Sequence, residues 1–311
     1  MTYRLLSYLV GRNARAGLLV ADAVYDAARV TGDPAYASVL GVLADWRRAE
    51  RSLAQAAKRI AAGRSRARGV PLVRARLLAP VLYPGAVFCA GANYVDHMQE
   101  MARVQNIPPE KDPHEVGLQP WHFIKTSRAS IVGPGAKVKL PPYSRMVDWE
   151  VELVAVIGRP ARDVALEEAL AYVAGYTIAN DLSARDAMRR PHLSDASPFK
   201  LDWVSQKCFE GSCPLGPWIA PASDVADPQK LALKLWVNDE LMQDSHTSKM
   251  IFTTAEQIAH LSTRLTLQPG DLILTGTPAG VGMGRGRFLK AGDKLKLWIE
   301  GIGELRHTMT G

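Results

Sequence analysis

The sequence predicts an α+β protein rich in strands, with a small N-terminal α+β domain (1–75) ahead of a larger domain (76–311). Short apolar runs recur between Pro and Gly punctuation from Phe123 to the end of the chain: FIK, SIVG, KVKL, DWEVELVAVIG, GYTIAND, LALKLWVND, DLILTGT and DKLKLWI. Only two clear helical stretches interrupt them, Leu166–Ala174 and Thr254–Leu261. Many strands with few helices point to a sandwich or to a rolled, barrel-like sheet.

Within the first domain, Tyr3–Val30 alternates apolar and polar residues around Gly11, Asn13 and Gly17, as short strands do, and Tyr36–Ala62 has helical periodicity. Lys58–Arg76 then carries only basic charge and no carboxylate, which marks a solvated linker or crossover face. The segment PGAVFCAGANYVDHMQEMARV turns from a strand at Ala86–Ala90 into a helix beginning near Asn93. Glu110–Gln119, rich in Pro, Gly and charge, is expected to be a loop.

A chain of 311 residues with 47% apolar content can bury a full core. Cys89, Cys208 and Cys213 lack the paired spacing of a disulfide framework or zinc site, which suits a reducing compartment. No run is long enough to span a membrane and no cleavable leader pattern is evident, so a cytoplasmic protein without membrane partners is expected. The net charge of +7 raises the alternative of a nucleic-acid-binding module. The basic stretch lacks the interleaved aromatics of a stacking platform, and no nucleic-acid partner is expected; a basic field also draws in small anions.

Strand alternation in VDWEVELVAVIG sends Asp148, Glu150 and Glu152 to the same face as Val154 and Val156. Like charges buried together are costly unless a cation neutralises them, and oxygen-only ligands suit a hard divalent ion. In GYTIANDLSARD a strand ends at Asp181, a third hard ligand, with Arg185 close behind. The helix opening GANYVDHMQEM sets His97 and Glu100 three residues apart, on one face, where a carboxylate can fix a histidine as a base. Lys207 sits among Trp203, Phe209 and a Pro/Gly-rich turn, placed to hold an oxyanion. The loop after GDLILTGTPAGVG offers backbone N–H groups around Gly276 and the Thr277 hydroxyl to an anion, without a Walker or Rossmann spacing.

Four ordered pieces, GANYVDHMQEM, DWEVELVAVIG with AGYTIANDLSARD, DWVSQKCFEGSCPLGPW, and GDLILTGTPAGVG with GDKLKLWIEGIGEL, together resemble the fumarylacetoacetate hydrolase superfamily over most of Val81–Leu305. The resemblance implies a rolled mixed sheet and metal ligation of one Mg²⁺ or Mn²⁺ per chain by Glu150, Glu152 and Asp181. It also implies a water-activating dyad of His97 and Glu100, a substrate-side Lys207, and substrate contacts that include Tyr94, Arg185, Gly276 and Thr277. A homodimer acting on a small anionic oxo acid follows, of the acylpyruvate, fumarylpyruvate or 2-hydroxyhepta-2,4-diene-1,7-dioate type met in aromatic catabolism. Met188, Arg189, Arg190 and His192 stand where acylpyruvate hydrolases carry Gln and Tyr, and the arginines suggest a second carboxylate or another polar group on the substrate. Met101–Trp121 corresponds to a lid.

The expected reaction is hydrolysis of a carbon–carbon bond in a 2,4-dioxo acid through a metal-stabilised enolate. His97 takes the proton from water and Lys207 holds the oxyanion. Decarboxylation or keto–enol isomerisation of an oxo diacid is the nearest alternative, since neither needs an attacking water.

Overall fold

The computed structural model describes residues 3–108 and 111–311. The chain opens with β1 (Arg4–Val10), β2 (Asn13–Val20) and β3 (Ala23–Asp26), followed by α1 (Ala27–Thr31), α2 (Val39–Ala44) and α3 (Trp46–Ala61). Next come β4 (Val70–Pro71), β5 (Val87–Ala90), α4 (Val95–Gln105), β6 (His122–Ile124), α5 (Ser127–Ser130), β7 (Ile131–Val132) and β8 (Lys137–Lys139). The centre of the chain holds β9 (Val147–Asp148), β10 (Val151–Ile157), β11 (Val173–Asn180), β12 (Ser183–Ala184), α6 (Trp203–Lys207) and β13 (Cys213–Pro221). It finishes with β14 (Ala232–Val237), β15 (Glu240–His246), α7 (Thr254–Arg264), β16 (Leu272–Leu274), α8 (Gly282–Arg285), β17 (Lys294–Ile299) and β18 (Gly303–Thr310).

The large mixed sheet runs β4-β3-β2-β1-β13-β11-β10-β16-β5-β6, with β7 alongside β13; a second sheet runs β15-β14-β17-β18-β8. The strand-rich α+β class is as expected. Among the described residues the large sheet ends at β4 and β6 without closing, so the architecture is a pair of open mixed sheets and not a barrel.

Alternation explains the layering. On β10, Val151, Leu153, Ala155 and Ile157 pack with Leu235, Leu297 and Leu305 of the second sheet, while Val154 and Val156 face Leu43, Trp46 and Leu53 of the N-terminal helices. Both faces of β10 are thus buried, and its seven residues are all inaccessible. Helix α3 joins the second layer because Trp46, Ala49, Leu53, Ala56 and Ala57 recur at helical spacing on its buried side. The N-terminal strands extend the sheet that carries the candidate site, through the pairing of Leu5 on β1 with Ile219 on β13.

Several elements differ from the sequence reading. The helix expected over Leu166–Ala174 is a 3-10 segment, Leu166–Tyr172, and β11 starts at Val173. The expected helix at Thr254 runs to Arg264, started by a reciprocal cap between Thr253 and Glu256. Residues 111–119 form turns and loop, and Glu110 lies outside the described residues. No helix among the described residues is long and apolar enough to cross a membrane.

Candidate active site

Two strand ends build the site. β10 and β11 pair antiparallel with Val151 opposite Asn180, so Glu150, just before β10, and Asp181, just after β11, emerge side by side. The Asp181 N–H donates to the Glu150 carbonyl at 2.9 Å, and the Glu150 N–H donates to Asn180 Oδ1 at 2.9 Å. Glu152, one pleat further along, reaches the same point, and one ligand oxygen of each of the three carboxylates lies within 4.8 Å of the others. All three side chains are buried.

Asp148 departs from the expected shared face. The strand breaks at Trp149 and Glu150, and the Asp148 carboxylate instead receives the Gly282 and Met283 N–H groups at 2.5 and 3.0 Å, together with Arg185 Nε at 2.8 Å. It anchors α8 and Arg185.

Three cationic side chains meet three of these four carboxylates. Lys207 Nζ lies 2.8 Å from Glu150 Oε2 and 2.5 Å from Asp181 Oδ2; Arg185 Nη2 lies 2.5 Å from Glu150 Oε1. Lys125, which the sequence reading missed, donates to Asp181 Oδ1 at 2.6 Å and to the Leu182 carbonyl at 3.1 Å. Burial alone would push the Glu150 carboxyl up, but Lys207 and Arg185 outweigh it and hold it at about 2. Glu152 has no cationic partner among the described residues; its one hydrogen bond comes from the Gly276 N–H at 2.7 Å. Burial, with Asp181 and Glu150 adding to it, drives the Glu152 carboxyl well above the usual carboxylate range.

That imbalance bears on metal binding. A buried carboxylate without a counter-charge, beside two others in an all-oxygen cluster, fits a hard divalent cation, which would supply the missing positive charge. Glu150, Glu152 and Asp181 are the residues that could hold it.

A cavity of about 130 Å³ opens on this cluster. Glu150, Glu152, Arg185, Gln206, Lys207, Thr277 and His97 form its polar wall, and Trp121, Phe123, Met188 and Trp203 its apolar one. The Phe123 ring stacks on Trp203 at 5.4 Å between centroids and carries the Lys207 ammonium 4.7 Å from its own centroid. Trp121 docks edge-on against Trp203 at 5.4 Å.

The structure distributes the other expected residues unevenly. His97 Nδ1 stands 3.7 Å from Glu100 Oε2, beyond hydrogen-bond reach, and both Glu100 oxygens accept the Gly280 N–H at 3.0 Å. Asp96 turns to Ser245 and Lys249 and does not orient His97. Thr277 reaches the cavity with its hydroxyl already donating to the Val151 carbonyl and accepting from Gln243. Two expected substrate contacts are corrected: Tyr94 is fully buried in the core between the sheets, and the Gly276 N–H is spent on Glu152. The arginines expected to meet substrate turn away, Arg190 to Asp202 at 2.8 Å and Arg189 toward Asp195 at 3.9 Å, and His192 is exposed, leaving Met188 as that segment's contribution to the cavity. Opposite charges nearby in sequence claimed them.

Comparison with known proteins establishes the family. Residues 86–310 match the family described as fumarylacetoacetate (FAA) hydrolase, C-terminal, and the chain belongs to that family of enzymes. It is 42% identical over 236 residues to the mitochondrial oxaloacetate tautomerase FAHD2B of Homo sapiens, an alignment covering 75% of this chain and 69% of that one. The maleylpyruvate hydrolase of Sphingobium sp. SYK-6, solved in complex with manganese(II) and pyruvate, is similar with a TM-score of 0.74 at 29% identity, over 99% of this chain and 98% of that one. The 2-hydroxyhepta-2,4-diene-1,7-dioate isomerase of Mycobacterium marinum gives a TM-score of 0.62 at 37% identity, over 78% of this chain and 81% of that one.

Proposed function

We propose that the protein catalyses keto–enol proton transfer in a small 2-oxo acid that carries a further oxygen on C4, such as oxaloacetate, with Mg²⁺ or Mn²⁺ held by Glu150, Glu152 and Asp181. The observation that carries this reading is that Glu150 and Glu152, clustered with Asp181 just behind, share one cavity of about 130 Å³ with the Lys207 ammonium and the His97 ring, a space small enough to select short acids. When bound, the ion supplies Lewis acidity that polarises the 2-oxo group. Burial works against the Lys207 charge, but Asp181 and Glu150 more than offset it and raise its pKa, so Lys207 serves as a donor to substrate oxygen and not as a base. His97, whose Nδ1 is buried without a hydrogen-bond partner, is the group to move the proton at C3. The name of the 42% identical relative, an oxaloacetate tautomerase, supports the same choice.

Hydrolysis of an acylpyruvate is the second reading, favoured by the 3.7 Å approach of Glu100 to His97, which a small movement would convert into a dyad. The two are separated by following the loss of enol absorbance and the exchange of C3 hydrogen for deuterium in oxaloacetate, after chelation and after restoring Mn²⁺. Metal-dependent acceleration of both, abolished by Glu152→Gln, is expected. Release of pyruvate from acylpyruvates with no effect on oxaloacetate would move the assignment to hydrolysis.

A further inference from the structure

Gln206 lines the cavity with a side chain that is only 3% exposed, and its Oε1 is buried with no hydrogen-bond partner. Such a group is rare in a folded interior, because an unsatisfied buried amide oxygen costs the water it gave up. It stands out further beside its neighbours. Glu150, Arg185 and Lys207 satisfy one another, Glu152 takes the Gly276 N–H, and Thr277 both donates and accepts within the protein. Of the polar side chains on the cavity wall, His97 and Gln206 are the two left with an unpartnered buried atom. Its neighbours on the wall are Trp203, one turn back on α6, the Phe123 and Trp121 rings that pack on that indole, and Met188, with the Lys207 ammonium over the Phe123 ring already committed to Glu150 and Asp181.

We infer that Gln206 is a specificity-determining residue that hydrogen-bonds the oxygen on C4 of the substrate, at the end away from the carboxylate cluster. This rests on the proposed 2-oxo acid reading and extends it to the distal end of the molecule. The placement of the groups dictates the assignment. A 2-oxo carboxylate drawn to the Glu150, Glu152 and Asp181 end leaves its C4 toward the aromatic wall, where Gln206 is the neutral side chain that can both donate and accept, the indoles of Trp121 and Trp203 being donors alone. An amide suits this position because it offers one acceptor and two donors. It can donate to a ketone or carboxylate oxygen and accept from an enol hydroxyl, so the same residue serves both tautomers. A cation in its place would hold one charge state of the distal group and select strictly for diacids. Gln206 therefore admits both oxo diacids and neutral acyl groups, provided C4 carries oxygen.

The test uses paired ligands with and without oxygen on C4: 2,4-dioxopentanoate against 2-oxopentanoate, which differ by one carbonyl oxygen, and oxaloacetate against 2-oxobutanoate, which differ by a carboxylate. Dissociation constants for the Mn²⁺-loaded protein are read from Trp121 and Trp203 fluorescence or by calorimetry, independent of turnover. Wild type is expected to prefer each oxygenated member. Gln206→Met, close in volume and without hydrogen-bonding atoms, is expected to weaken the oxygenated members by about tenfold or more while leaving the others within about twofold. Gln206→Asn, which keeps the amide one methylene short, should fall between the two and guards against a variant that does not fold. Equal losses on both members of a pair, or no change on either, overturn the inference. Discrimination through Gln206 without turnover of any oxo acid would leave the inference standing and remove the proposed reaction instead.

Discussion

Lys125 and Lys207 hold opposite oxygens of a single carboxylate, Asp181, at 2.6 and 2.5 Å, with all three side chains buried. Among the acids of the cluster Lys125 pairs directly with Asp181. Lys125→Met strips a buried carboxylate of one of its two cations, a change that costs roughly 3–5 kcal/mol when a buried pair is broken. The cluster also becomes more negative, which favours a bound cation. Thermal unfolding in chelator is therefore expected at a markedly lower temperature than wild type, with a larger recovery on adding Mn²⁺. Equal shifts with and without Mn²⁺ would show that Lys125 does not tune the centre.

Glu152 carries the charge that lacks a partner. In wild type, Mn²⁺ at about one hundred times its Kd is expected to stabilise the fold by about 2.7 kcal/mol, roughly 5 °C in Tm. Glu152→Gln imitates the neutral carboxyl that burial favours when no cation is bound, so in chelator the variant should melt no lower than wild type, and the neutral amide should abolish the Mn²⁺ response. Calorimetric titration with Mn²⁺ reads the binding directly.

His307 gives the fold a defined acid limit. Asn180 uses its carbonyl on the Glu150 N–H, so its amide NH₂ faces His307 Nε2 at 2.9 Å, which makes Nε2 the acceptor and the ring neutral. Burial pushes the His307 pKa down to about 3, and burial also lowers His122 to about 4. Both are protonated more readily when unfolded, near 6.5. Their contribution is thus complete above about pH 6.5 and is lost as pH falls toward the folded values, by about 1.4 kcal/mol per pH unit for each. Urea midpoints at pH 7.5 and pH 5 should show this slope, and His307→Gln should reduce it. An unchanged slope in that variant would place the acid sensitivity elsewhere.

Gly91 makes room for Trp121. A Cβ at position 91 would lie 2.0–2.5 Å from the indole ring, whose residue is 45% exposed and free to swing outward. Gly91→Ala is expected to keep the unfolding free energy within about 1 kcal/mol, because the clash is relieved at the surface. It should also shift tryptophan emission to the red and raise KM on the order of tenfold, equivalent to about 1.4 kcal/mol of lost wall contact. Unaltered emission and KM would mean that Trp121 does not shape the cavity.

How far the sequence revealed this arrangement differed from residue to residue. Glu150, Glu152 and Asp181 were legible as a set through the four ordered motifs and the family they resemble, since an E-x-E on a strand or an Asp at a strand end is by itself ordinary. The β10 alternation was right from Glu152 onward, since Val154 and Val156 do share one side, and failed at Asp148, where the break at Trp149 follows from contacts with Gly282 and Met283 more than 130 residues away. Lys125 was hidden for the same reason: FIKT reads as a strand with a solvent-facing lysine, and its partner is 56 residues further on. Arg189 and Arg190 were misplaced because Asp195 and Asp202, close by in sequence, were not weighed as partners. Strand β13 escaped notice because CPLGPWIAP has the Pro and Gly content of a turn, although all but one of its residues are buried.

The position of β13 has a further consequence. On one side it is flanked by β1 and on the other by β11, and Leu215 and Ile219 share a core with Leu5, Leu18 and Leu43. A chain begun after residue 75 would leave β13 with a row of free backbone donors and acceptors and would wet the apolar side of Val154, Val156 and Leu274. Such a fragment would be prone to aggregate and would not be a minimal enzyme. Grafting another N-terminal segment onto this site would have to bring both a pairing strand and an apolar helical face.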